Sequence, residues 1–192
     1  MTRVAKARIG YVALLLAIGA PSFALVGRFD DWRVTLAMAV VLLVPGRVQG
    51  MLLRDLFRGR RELDSGRPEA SIHATTRFLE DLQRRPALQH AIWLAWWSYT
   101  PNVEAMALNN LGAAHLALGR FDEAERAFGD ALARDPLYPL PWVNRAIVAH
   151  VRNDLEQGAR SLEEAERLGY SGGTLDSISR KAAEVLARVE GR

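Results

Sequence analysis

Cysteine is absent from the 192 residues, which removes thiol catalysis, thiolate metal sites and disulfides from consideration. Lysine is nearly absent as well: only Lys6 and Lys181 stand among 25 basic residues. The chain has no Gly-rich phosphate-binding loop, no His-Glu-x-x-His pair and no strand-turn-helix nucleophile motif. Its four histidines, His73, His90, His115 and His150, show no metal-ligand spacing. Glu163, Glu164 and Glu166 lie among Arg160 and Arg167, as on a solvated helix face. These absences predict a protein that is not an enzyme and holds no cofactor and no metal. With 49% hydrophobic and 24% charged residues, a disordered polymer and a collagen-like fibre are excluded too.

What is present is unevenly distributed. Residues 1–67 hold eleven Lys/Arg against five Asp/Glu, whereas 68–192 hold fourteen against seventeen. The positive excess lies beside the most apolar sequence, so anionic lipid headgroups are a nearer partner than nucleic acid. Ile9 to Val26 carries no charge and follows Arg3, Lys6 and Arg8; at eighteen residues it approaches the length of a spanning helix. A second apolar run from Val34 reaches that length only by passing Pro45-Gly46-Arg47 and continuing to Leu53. The expectation is a membrane anchor over 1–64. It comprises a transmembrane helix at about 9–26, a second spanning or re-entrant helix at about 34–53, and a basic juxtamembrane segment over 54–64.

Trp32 sits in the connecting turn, where an aromatic ring anchors to headgroups, and Arg47 has to snorkel. Arg58, Arg60 and Arg61 form the cluster facing the anionic leaflet. The Lys/Arg distribution puts both termini in the cytoplasm of a bacterial cell. The competing reading is a signal peptide, with Ser22 and Ala24 near a cleavage site, which would place the helical domain in the periplasm.

The second half is periodic. At an offset of 34 positions Leu108 maps to Trp142, Asn110 to Asn144, Gly119 to Asn153, Phe121 to Leu155, Phe128 to Leu162 and Ala131 to Ala165. Small residues at Gly112 and Ala131 allow two helices to approach, and Pro136 ends a unit because it cannot extend the preceding helix. Over 105–138, Leu108, Leu111-Gly112, His115, Gly119, Phe121, Ala124, Phe128, Ala131 and Pro136 resemble the tetratricopeptide repeat, a helix-turn-helix unit. A second unit over 139–172 keeps Trp142, Ala146, Leu155, Leu162 and Ala165 but departs at Arg145, Ala149, Gly158 and Tyr170.

The predicted fold is all-α: a membrane hairpin followed by a short helical-repeat domain over 65–192, closed by a capping helix at about 174–190. The stretch Leu63 to Ala70 faintly echoes Leu116 to Glu123, as a degenerate half-repeat would. Trp93, Trp96 and Trp97 are read as the wall of the repeat core, or alternatively as a surface resting on membrane or on another subunit.

In the resembled family the first helix of each unit lines a concave groove that takes a protein partner or peptide. Carried over, that groove consists of Met106, Asn109, Asn110, Ala113, Leu116, Leu140, Val143, Asn144, Ile147 and His150. Asn110 and Asn144 occupy equivalent positions, from which a side-chain amide can pair with a peptide backbone. Asn109 and Ala113 stand where a basic carboxylate clamp would need Lys and Asn, so chaperone-tail binding is disfavoured. The function these features imply is a scaffold or adaptor at the cytoplasmic face of the inner membrane, the alternative being a constitutive subunit of a larger membrane assembly.

Overall fold

The computed structural model describes residues 6, 9, 10, 13, 17, 32–92 and 99–191. Eight α-helices follow one another in its continuous stretches: α1 (Trp32–Leu52), α2 (Arg54–Asp64), α3 (Pro68–Arg84), α4 (Val103–Ala117), α5 (Phe121–Arg134), α6 (Pro139–Val151), α7 (Leu155–Arg167) and α8 (Leu175–Glu190). A 3-10 helix, Pro86–Ile92, follows α3. The helix starts are written in the sequence. Asn102 accepts from the Ala105 N–H at 3.0 Å, Asp154 accepts from Gln157 at 3.0 Å, and Thr174 and Ser177 form a reciprocal capping box at the head of α8. Pro68 and Pro139 open α3 and α6, where a missing N–H costs nothing.

Three antiparallel helix pairs result, α2/α3, α4/α5 and α6/α7, each joined by the same turn. Gly66, Gly119 and Asn153 hold the left-handed conformation at φ 74, 75 and 60°. In every turn an N–H reaches back five residues: Arg67 to Glu62, Arg120 to His115 and Asp154 to Ala149, at 2.9, 3.0 and 2.8 Å. A fourth turn of this kind, with Gly169 at φ 97° and Tyr170 bonded to Ala165, ends α7.

The first pair is a whole unit, where the sequence had suggested half of one. Gly59, Gly66 and Thr75 each lie 53 positions before Gly112, Gly119 and Phe128, and they play the same parts. A Cβ on Gly59 would collide with the Thr75 hydroxyl, just as one on Gly112 would sit 2.5 Å from Cε1 of Phe128. Residues 54–64, expected to be a basic juxtamembrane segment, form the first helix of this pair, with Leu56 and Gly59 buried. Arg58 pairs with Glu62 at 3.7 Å and Arg60 with Asp64 at 3.0 Å along that helix, both arginines being exposed, and Arg61 is exposed beside them.

Two apolar clusters hold the stack. Leu53, Leu56, Phe78, Leu82, Leu88, Ala91, Val103 and Ala107 form one. The other is built from Leu116, Phe128, Val143, Ile147, Leu162 and Ile178 with the alanines between them.

The second apolar run lies within α1, which continues through Pro45 and Gly46 instead of ending there. Among the described residues no helix is long and apolar enough to cross a membrane; Arg47, Gln49 and the glycines at 46 and 50 dilute the run. Trp32 is in the first turn of α1 and not in a connecting turn, 67% exposed, with the Arg33 guanidinium 5.9 Å from its ring centroid. Arg47 is exposed on the same helix. The first run, 9–26, lies almost wholly outside the described residues, as do Trp93, Trp96 and Trp97.

Candidate functional site

The groove predicted from the sequence is the surface of α4 and α6. Five of its members, Asn109, Asn110, Leu116, Val143 and Ile147, are buried. Met106, Ala113, Leu140, Asn144 and His150 are half-buried. Asn144 Nδ2 donates to Asn109 Oδ1 at 2.9 Å, so this amide ties α6 to α4. Of the two asparagines expected to contact a peptide, Asn144 thus bonds within the protein through its Nδ2, and Asn110 is buried.

Two other members face elsewhere. His150 Nδ1 lies 2.9 Å from the Ala146 carbonyl, an acceptor, so this nitrogen carries the proton. Its ring packs over Gly158 of α7, where a Cβ would overlap the imidazole. Met106 packs against the cluster that α2, α3 and the 3-10 helix form with Val103 and Ala107 of α4.

Val143 and Ile147 are buried in a cluster to which α8 contributes. After α7 the chain turns at Gly169, passes Ser171-Gly172-Gly173 and returns as α8, which packs mainly on α6 and also touches α4. Ile178 and Ala182 are fully inserted into the cluster that contains Val143, Ile147 and Leu116. Val185 packs on its margin, and Val189 stands against Gly119 at the far end of α4. A helix continuing the repeat would lie against α7. Instead α8 runs over the faces of the two first helices and leaves a cleft of about 500 Å³ between α7 and its own start, lined by Leu162, Glu163, Glu166 and Leu175 among others. The helix read as a terminal cap thus lies over the faces of α4 and α6.

Residues 105–138 match the tetratricopeptide repeat family. No curated protein and no solved structure matches the chain. Tetratricopeptide repeats bind protein partners or peptides and are generally non-catalytic. The match covers α4 and α5, whose Phe128 is fully buried over Gly112.

The departures of the following pair from the repeat pattern have local compensations. Arg145, where the repeat has an apolar residue, lies 5.2 Å from the Trp142 ring centroid and bonds Glu125 of α5 at 2.7 Å. Gly158, where the repeat has Ala, makes room for His150. Tyr170, where the repeat has Pro, sets its ring 6.4 Å from that of Tyr99. Burial, with Tyr99 nearby, raises its phenol above the ordinary range. Asp135 and Tyr138 are both buried at the start of α6; Thr100 Oγ1 donates to Asp135 at 2.5 Å, and burial pushes the Tyr138 phenol far up.

His115 takes the aromatic position of the tetratricopeptide unit. Burial, reinforced by Arg120, lowers its imidazole below the usual 6.5, and its Nδ1 has no partner among the described residues. Among those residues no group of His, Asp and Glu is arranged to hold a metal ion.

The sequence reading missed Asn109 as the partner of Asn144 and missed α8 as the occupant of the groove. The available signal for the second was Gly172-Gly173, a linker free enough to fold α8 back.

Proposed function

We propose that the chain is a membrane-tethered tetratricopeptide adaptor that holds a protein partner at the cytoplasmic face of a bacterial inner membrane. The observation that carries the adaptor part is the stack of three helix-turn-helix pairs, one of which matches the repeat. The tether is supported by the uncharged run at 9–26 and by the outward apolar side chains of α1. Leu36, Val40 and Met51 are 53, 50 and 78% exposed, an arrangement that suits a hydrocarbon or headgroup surface. The cytoplasmic side is supported by the excess of arginine following the second run.

Such a protein acts by proximity, concentrating a client near the membrane without transforming it. A photo-crosslinker at Asn144 or Ala113 in living cells is expected to capture a client, and detergent but not high salt is expected to release the protein from membranes. Release by salt alone removes the tether. Digestion of residues 99–191 by protease added outside spheroplasts removes the cytoplasmic placement. A stoichiometric membrane protein that co-purifies through detergent identifies a fixed subunit instead of an adaptor.

A further inference from the structure

We infer that α8 is a removable cover, and that the natural ligand of the α4/α6 groove is an amphipathic helix of a partner that enters in place of α8. This rests on the adaptor reading for the existence of a partner, and on the structure for the form the ligand takes.

Three observations carry it. The groove already holds a helix: Ile178 and Ala182 are buried in the cluster formed with α4 and α6, and Val185 and Val189 follow at helical spacing toward Gly119. The site is therefore shaped for a rod with small and branched residues at i, i+4, i+7 and i+11, not for an extended strand. The hold is slight, because Ile178 and Ala182 are the only buried residues of the sixteen in α8. Lastly, Gly169, Gly172 and Gly173 lie between α7 and α8, and the backbone bonds of segment 168–173 among the described residues run back from Leu168, Gly169 and Tyr170 to Glu164, Glu166 and Ala165 of α7, none of them to α4 or α6. Such a linker lets α8 leave without disturbing the turn behind it.

The closed state then taxes every partner. A tethered helix competes at an effective concentration set by a short linker, on the order of millimolar, so a weak helix is excluded and a better-fitting one admitted.

The test uses the purified full chain and a fluorescent synthetic peptide of residues 174–191 as probe. The unmodified chain is expected to bind it poorly. The doubly substituted chain, Ile178→Glu with Ala182→Glu, is expected to bind it at least about tenfold more tightly because the cis competitor is gone. A peptide carrying the same two glutamates is expected not to bind. Equal affinity of the two chains overturns the inference.

Hydrogen exchange on the unmodified chain gives a second reading that needs no variant. Amides of α8 are expected to exchange well before those of α6, and exchange of both only with global unfolding overturns the inference. Cellular crosslinks from Asn144 combined with no peptide binding to the substituted chain sink the cover and leave the adaptor standing. Peptide binding without any crosslink supports the cover and sinks the adaptor.

Discussion

The pairs α2/α3 and α4/α5 share a backbone and differ in what fills it. Both turn on a left-handed glycine, Gly66 or Gly119, and both cross at a second glycine, Gly59 or Gly112. Over Gly112 lies the ring of Phe128, fully buried. Over Gly59 lies Thr75, whose hydroxyl is buried with no partner among the described residues, as is that of Ser71 one turn earlier. The repeat is thus defined by where the chain must reverse and where two helices must touch, while the filling between them is free to vary. Recognition follows the filling, so the family match falls on the second pair alone.

The largest effects should come from the aromatic filling. Phe128→Ala is expected to cost about 4 kcal/mol, because a cavity replaces a ring, and Gly112→Leu about 3 kcal/mol by overpacking against that ring. Chemical denaturation followed by circular dichroism measures both. A loss under about 1 kcal/mol for Phe128→Ala would mean that the second pair does not depend on its filling.

The shared turn is the next target. Gly66→Ala meets nothing within 4 Å, so it should show the left-handed backbone penalty alone, about 1 kcal/mol. Gly119→Ala adds a clash with Val189 of α8 and should cost more; equal costs would separate α8 from that turn.

The polar filling predicts a change of opposite sign. Thr75→Val removes an orphaned buried hydroxyl at almost constant shape and is expected to stabilise by about 1 kcal/mol. Destabilisation by a similar amount would show that the hydroxyl has a partner in the folded protein.

The smallest effect is a pH dependence in the second pair. The His115 imidazole is held below 6.5 in the fold, so in mildly acid solution the unfolded chain binds more protons than the folded one. Stability should therefore be complete above about pH 6.5, fall as the pH drops below it, and level off beneath the folded value. His115→Phe should flatten that slope in denaturation midpoints taken at about pH 7.5 and about pH 5.5. An unchanged slope assigns it to other groups.

The repeat register was legible because helix crossings and reversals demand particular residues locally: Gly112, Gly119, Ala124, Phe128 and Ala131 mark a unit without reference to anything beyond it. The first pair was harder to see. Its crossing residues, Ser71 and Thr75, carry no apolar signature, and its first helix is rich in arginine, a composition that also describes a juxtamembrane segment. The groove was legible as a set of helix faces but not as an open or closed surface. Asn109 and Asn110 are adjacent in sequence, and only the crossing of α6 over α4 selects Asn109 as the partner of Asn144.

By itself, then, the amino-acid order determined the helices, their caps and the left-handed turns, all of which depend on neighbours within a few residues. The tertiary structure alone decided that α8 lies on α6 and α4 and does not extend the stack past α7. An amphipathic helix beyond a glycine linker can bury its apolar stripe against either surface. Which one it takes depends on the fit of Ile178 and Ala182 to side chains about thirty to seventy positions away, and no local pattern records that fit.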